Sequence, residues 1–135
     1  MAKKILLIDD DEVFSKTVSE RLRSAGYEVA YSRNGEDGLR ALEKDAPDLI
    51  LLDIMMPGLN GINFLKKIHH KSGSPLVPVL IFSNSSDMMN IGESVALGVK
   101  GYIVKSEESL DGIVRNVEIT LAHASDSKEK TETPS

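Results

Sequence analysis

Four short apolar runs punctuate the chain: Ile5-Leu6-Leu7-Ile8, Leu49-Ile50-Leu51-Leu52, Val79-Leu80-Ile81-Phe82 and Tyr102-Ile103-Val104. They are continuous rather than alternating, the pattern of parallel strands covered on both faces. A fifth segment, Glu28-Val29-Ala30-Tyr31-Ser32, alternates more and predicts an edge strand. Between the runs the apolar period becomes helical. Val13, Phe14, Thr17, Val18 and Leu22 predict a first helix, with Gly26 as its stop. Asn34 caps a second, carrying Leu39 and Leu42 and ending before Pro47. Ile62, Leu65 and Ile68 mark a third, and Met88, Ile91 and Val95 a fourth, weakened by Gly92. Leu110, Ile113, Val114, Val117 and Leu121 mark a fifth, capped by Ser109.

Five βα units in succession predict an α/β fold, a doubly wound parallel sheet of five strands with five helices. From about Ala124 the sequence SDSKEKTETPS has no apolar periodicity. One domain over residues 1–123 and a disordered polar tail over 124–135 are therefore expected. Ile119 and Met89 lie off the apolar stripes of their helices and read either as scattered surface hydrophobes or, more sharply, as a partner or dimer surface.

Composition narrows the function. The chain has 135 residues, 41% hydrophobic and 27% charged, enough for one domain with a real core. A net charge of −5 argues against a broad basic surface, so no direct nucleic-acid partner is expected. With no Cys, disulfides and thiolate metal sites are excluded. No segment has the form of a signal peptide or the roughly 18 apolar residues of a membrane span. A cytoplasmic protein with no membrane partner is the expectation.

The candidate chemistry lies where the apolar runs end. Asp9, Asp10 and Asp11 follow the first run, Asp53 that at 49–52, Ser83 and Asn84 that at 79–82, and Lys105 the last. Open α/β sheets bind ligands at the carboxyl ends of their strands, near a topological switch point. In the order 2-1-3-4-5, strands 1 and 3 are neighbours and Asp9, Asp10 and Asp53 converge. In the order 3-2-1-4-5 the same strands stand about 9–10 Å apart at ordinary strand spacing. One ion could hardly join them, so the chemistry favours 2-1-3-4-5. Converging carboxylates call for a cation. Hard oxygens suit Mg²⁺, and the absence of His or Cys from the strand ends argues against zinc. With Lys105 as a second cation and Ser83 as a donor, the set has the parts for phosphoryl transfer to a carboxylate. Each residue alone has an ordinary explanation: Asp9–Asp11 as helix-opening caps, Asp53 as turn chemistry, Lys105 as a solvated lysine. What sets them apart is that all occupy the same register on their strands. His69 and His70, near the end of the third helix, read as solvated cations that suit its dipole.

The sequence resembles the receiver domain of two-component response regulators, of the single-domain chemotaxis and sporulation type, over residues 3 to about 122. LLIDDDE is similar to that family's acidic segment, LLDIMMPGLNG to its phosphoacceptor segment, FSN to its switch serine or threonine segment, and GYIVK to its aromatic switch and lysine. The resemblance implies a flavodoxin-like fold with Asp53 as phosphoacceptor. It implies Mg²⁺, or Mn²⁺ in its place, held by Asp10, Asp53 and the backbone carbonyl of Met55, with Asp9 assisting. It implies that the phosphoryl group comes from a sensor histidine kinase, a phosphotransfer protein or a small phosphodonor. Lys105 and Ser83 would then bind it, and Tyr102 would turn inward. That would alter the surface of the fourth helix, fifth strand and fifth helix for a downstream protein, an output domain or a homodimer.

The departures carry expectations of their own. Members of the family usually have a cis proline after the lysine, where this chain has Ser106. A non-proline cis bond costs about 2.5–4 kcal/mol, so a trans Lys105–Ser106 bond and a changed loop are predicted. Asn84 stands where many members carry Ala and is expected to alter access of the hydrolytic water. Asn60 replaces a common Asp with no consequence that can be drawn. No second core or helix-turn-helix follows residue 123, so action by contact with another protein, or through a linker into a further domain, is expected. Two competing readings are a receiver-fold interaction module that works without phosphorylation and a small Mg²⁺-dependent phosphatase resembling the haloacid dehalogenase group. Asp9, Asp11 and Val13 match the latter's DxDxV pattern, but only Asp111 follows Lys105 where that group needs an acidic pair.

Overall fold

The computed structural model describes residues 2–54, 61–68, 77–84 and 88–132, those at 88–91 and 125–132 by their backbone alone. Its elements alternate: β1 (Lys4–Ile8), α1 (Glu12–Ser24), β2 (Glu28–Ser32), α2 (Gly35–Lys44), β3 (Leu49–Leu52), α3 (Gly61–Ile68), β4 (Val79–Ser83), α4 (Met88–Ala96), β5 (Gly101–Val104) and α5 (Leu110–Glu132). The sheet is parallel in the order β2-β1-β3-β4-β5. This is the doubly wound order that convergence of the carboxylates required.

Two apolar layers sandwich the sheet. Ile5, Leu7, Leu49, Leu51, Leu80, Phe82 and Ile103 pack with Val18 and Leu22 of α1 and Ile113 and Val117 of α5. Leu6, Ile8, Ile50, Leu52, Val79 and Ile81 pack on the other face with Ile62, Phe64 and Leu65 of α3. Leu39 and Leu42 of α2 close the second layer. All four side chains of β3 are fully buried, each contributing about 1.5–3 kcal/mol of apolar transfer. A strand covered on both sides has no use for alternation. β2, at the edge, is only partly covered, which is why its sequence alternates.

The predicted caps are present. The Asn34 side chain accepts from Asp37 N–H at 2.8 Å and the Ser109 hydroxyl from Gly112 N–H at 3.0 Å. Gly26 has φ +99°, a left-handed conformation that L side chains resist. Three expectations need correcting. Val13 belongs to the helical period but is 80% exposed, because α1 starts only at Glu12 and Val13 projects from its first turn. Val95 is also exposed, and Ser94 is the residue α4 buries there. The backbone of α5 continues to Glu132, through the polar segment expected to lack structure. Extending a nucleated helix fixes one residue per bond gained, so Lys and Glu can prolong it without an apolar face. Among the described residues no peptide bond is cis, and Ser106 lies in a 3₁₀ turn, Lys105–Glu107. Asn60, His69 and His70 fall outside the described residues, as does the side chain of Met89. Ile119 is exposed. No helix among the described residues is long and apolar enough to cross a membrane.

Candidate phosphoacceptor site

The sheet register sets the site. Ile8 of β1 pairs with Leu52 of β3, so Asp9 and Asp53 are the next residue on each of two adjacent strands. The backbone extends the ladder past the strand ends: Asp53 N–H donates to the Ile8 carbonyl at 2.9 Å, and Asp9 N–H to the Ser32 carbonyl at 3.1 Å. Ser83 pairs with Val104, and Lys105 is the residue that follows. Four strands thus deliver their polar residues to one edge.

Asp9, Asp10 and Asp53 each offer a carboxylate oxygen within 4.8 Å of the others. Asp9 and Asp53 are buried and Asp10 is exposed. Lys105 reaches across them. Its Nζ donates to Asp9 Oδ2 at 2.7 Å and to Asp53 Oδ2 at 3.3 Å, with only 7% of its side chain exposed. Two aromatic rings help to house the ammonium: Nζ lies 4.9 Å from the Phe14 ring centre and 4.8 Å from that of Phe82. The negative faces of the rings offset part of the desolvation of a buried cation.

Electrostatics follow from this crowding. Burial pushes the Asp9 carboxyl up from 3.8 to about 6, and the neighbouring Asp53 adds to the rise. The hydrogen bonds from Lys105 and from Asp11 N–H pull the other way without cancelling it. Burial by itself would lower Lys105, but its bond to Asp9 and the charge of Asp53 outweigh that and hold it above its ordinary value. Three carboxylates face one ammonium, so the site has room in its charge balance for a further cation. The donors are all carboxylate oxygens and one is open to solvent, a set that suits a hard divalent ion keeping several waters.

Asp11 does not share in this cluster. Its Oδ1 accepts from Phe14 N–H at 3.0 Å and caps α1, so the helix-cap explanation holds for Asp11 alone. Ser83 is completely buried at the end of β4, and Asn84 beside it is exposed. Tyr102 pairs with Ile81 and packs, half-buried, on the layer that holds α2, α3 and the residues Leu97 and Val99 after α4. Met55 lies outside the described residues. Three aromatic residues near the site were not singled out for it by the sequence. Phe14 and Phe82 read only as core. Tyr31 read as edge strand, yet its hydroxyl donates to the Asp9 carbonyl at 2.6 Å.

The response regulator receiver domain family model matches residues 5–117. The chain belongs to that family. This receiver domain is 36% identical over 100 residues to the uncharacterized transcriptional regulatory protein YcbL of Bacillus subtilis, covering 74% of this chain and 43% of that one. It is 32% identical to the DNA-binding response regulator MtrA of Mycolicibacterium paratuberculosis, covering 78% and 45%. The chain thus spans about half the length of the curated relatives it matches. Among solved structures, the chemotaxis protein CheY4 of Vibrio cholerae superposes with a TM-score of 0.80 at 27% identity, covering 89% of this chain and 99% of that one. A CheY-like receiver domain protein from Methanospirillum hungatei superposes at 0.86 with 24% identity, covering 94% and 99%, a likeness of fold. A receiver domain is a signalling module of two-component systems.

Proposed function

We propose that this receiver domain accepts a phosphoryl group on Asp53 in a Mg²⁺-dependent reaction. The observation that supports this best is the convergence of Asp9, Asp10, Asp53 and Lys105 at one sheet edge. Asp9, Asp10 and Asp53 would hold Mg²⁺, with the Met55 carbonyl as a further donor. The ion, when bound, neutralises charge on the phosphoryl oxygens. Asp53 has the role of nucleophile: one of its oxygens forms a bond to phosphorus as the bond to the donor breaks. The leaving group is the imidazole of a phosphohistidine on a sensor kinase or phosphotransfer protein, or acetate from acetyl phosphate. Lys105 then trades its long contact with Asp53 for one with a phosphoryl oxygen, and Ser83 donates to another. Its cation is already desolvated and aimed, so little reorganisation is needed at the moment of transfer.

Movement of Ser83 toward the phosphoryl group would let Tyr102 turn inward and change the surface of α4, β5 and α5. A local charge event would thereby bias a two-state face toward a downstream protein, an output domain or a second copy. Asn84, exposed beside Ser83, would govern the approach of the hydrolytic water; an unchanged dephosphorylation rate in Asn84→Ala would remove that role. Ser106, trans and in a 3₁₀ turn, shapes the loop that follows Lys105. The test of the whole reading is intact mass after incubation with Mg²⁺ and acetyl phosphate. A gain of one phosphoryl group in wild type but not in Asp53→Ala is expected. No gain in a folded wild-type protein with any donor would favour an interaction module independent of phosphorylation.

A further inference from the structure

We propose that Tyr31 is a positioning residue for divalent-cation binding, acting through the peptide unit that joins Asp9 to Asp10. The inference rests on the Mg²⁺ reading above. It starts from an asymmetry between the two acidic residues. Asp9 is buried and fully tethered: Oδ2 accepts from Lys105, and Oδ1 accepts from Asp11 N–H at 3.1 Å. Asp10 is exposed, so the direction of its carboxylate depends on its backbone.

That backbone is fastened from β2. Asp9 N–H donates to the Ser32 carbonyl at 3.1 Å, and the Asp9 carbonyl accepts from the Tyr31 hydroxyl at 2.6 Å. The carbonyl of Asp9 and the Cα of Asp10 lie in one rigid peptide plane. Holding the carbonyl therefore fixes where Asp10 leaves the strand. With the hydroxyl gone, the plane can rotate toward water and carry the Asp10 carboxylate away from Asp9 and Asp53. Tyr31 has 40% of its surface exposed, so its hydroxyl could have been solvated, yet it takes the short bond to Asp9. The edge strand, which contributes no carboxylate to the cluster, thus sets its geometry before an ion arrives.

The test compares wild type with Tyr31→Phe, which keeps the ring. Mg²⁺ is titrated by calorimetry and followed in amide proton–nitrogen spectra. Phosphorylation by acetyl phosphate is measured across Mg²⁺ concentrations, and melting in EDTA serves as the structural control. Loss of one positioning hydrogen bond should raise the half-saturating Mg²⁺ concentration roughly 2- to 10-fold. The phosphorylation rate at saturating Mg²⁺ should return close to that of wild type, a split that general destabilisation would not produce. An equal Mg²⁺ affinity in the two proteins would overturn the inference alone, whether or not melting in EDTA changes. Failure of wild type to bind Mg²⁺ at all would overturn the Mg²⁺ reading and this inference with it.

Discussion

Gly61→Ala should be among the most damaging single-methyl additions to this chain, and Gly92→Ala should help it. Gly61 opens α3 where the chain presses on the backbone that follows β3. A Cβ there would lie 2.6 Å from Ile54 Cγ2 and 2.8 Å from the Asp53 carbonyl oxygen, and closer still to Ile54 Cα. Ordinary contact needs about 3.5 Å, so α3 must retreat by roughly 1 Å. Retreat stretches the bond from Gly61 N–H to the Ile54 carbonyl, now 3.2 Å, and draws Phe64 and Leu65 out of a closed layer. Overpacking costs about 1–3 kcal/mol, and the backbone atoms struck here cannot rotate aside, so the upper end applies. At about 4 °C per kcal/mol for a domain of this size, melting should fall by roughly 12 °C. Any part of the clash relieved by the struck backbone instead of α3 moves Asp53, and a misplacement near 1 Å can cost about 10²-fold in rate, so phosphorylation should suffer beyond the loss of fold. At Gly92 an added Cβ meets nothing within 4 Å, and Ala is favoured over Gly in a helix by about 0.5–1 kcal/mol. Thermal melts of both variants, with acetyl phosphate kinetics below the transition, check the pair. A Gly61→Ala protein melting within about 1 °C of wild type would refute the reasoning.

Three further outcomes are expected. Lys105→Met leaves Asp9 and Asp53 without their cation; breaking a buried pair costs about 3–5 kcal/mol, and added Mg²⁺ should recover more stability in the variant than in wild type, as read in urea titrations. Phe14→Leu removes one of the two rings beside Lys105 and should lower stability by about 1–2 kcal/mol, most of it absent when the same change is made in Lys105→Met, as a double-mutant cycle would reveal. The Asp9 carboxyl binds its proton more tightly folded, at about 6, than unfolded, at 3.8. Its contribution to stability is therefore full below about 3.8 and is lost as pH rises to about 6. Metal-free unfolding between pH 4 and 6.5 should show this slope in wild type and not in Asp9→Asn.

Much of the fold was legible because its signals are local. A continuous apolar run, an Asn before a helix and a Gly with positive φ each act within a few residues. The strand order was legible for a different reason: only one of the two common orders lets Asp9 and Asp53 share an ion. Within the site, the residue types at strand ends were readable, but the cap explanation covered Asp9–Asp11 together, and only the bond from Phe14 N–H sets Asp11 apart. Phe14, Phe82 and Tyr31 were not readable. A phenyl ring at a core position looks the same whether it covers a leucine or an ammonium. The Tyr31 hydroxyl meets Asp9 only because β2 lies beside β1, 22 residues away in sequence. Val13 fits the helical period but sits in the first turn of α1, where period alone cannot say which side faces water.

The bond from Lys105 to Asp9 joins residues 96 positions apart and spans β1, β3, β4 and β5. Contacts of such sequence separation carry a large loop-closure entropy and form late in folding. During synthesis the acidic residues leave the ribosome long before their lysine does. A nascent chain therefore holds the carboxylates but not the cation that organises them until β5 has docked. Assembly of the charged edge is in this way tied to the arrival of β5, and a product truncated before Lys105 lacks the cation by construction of the sheet.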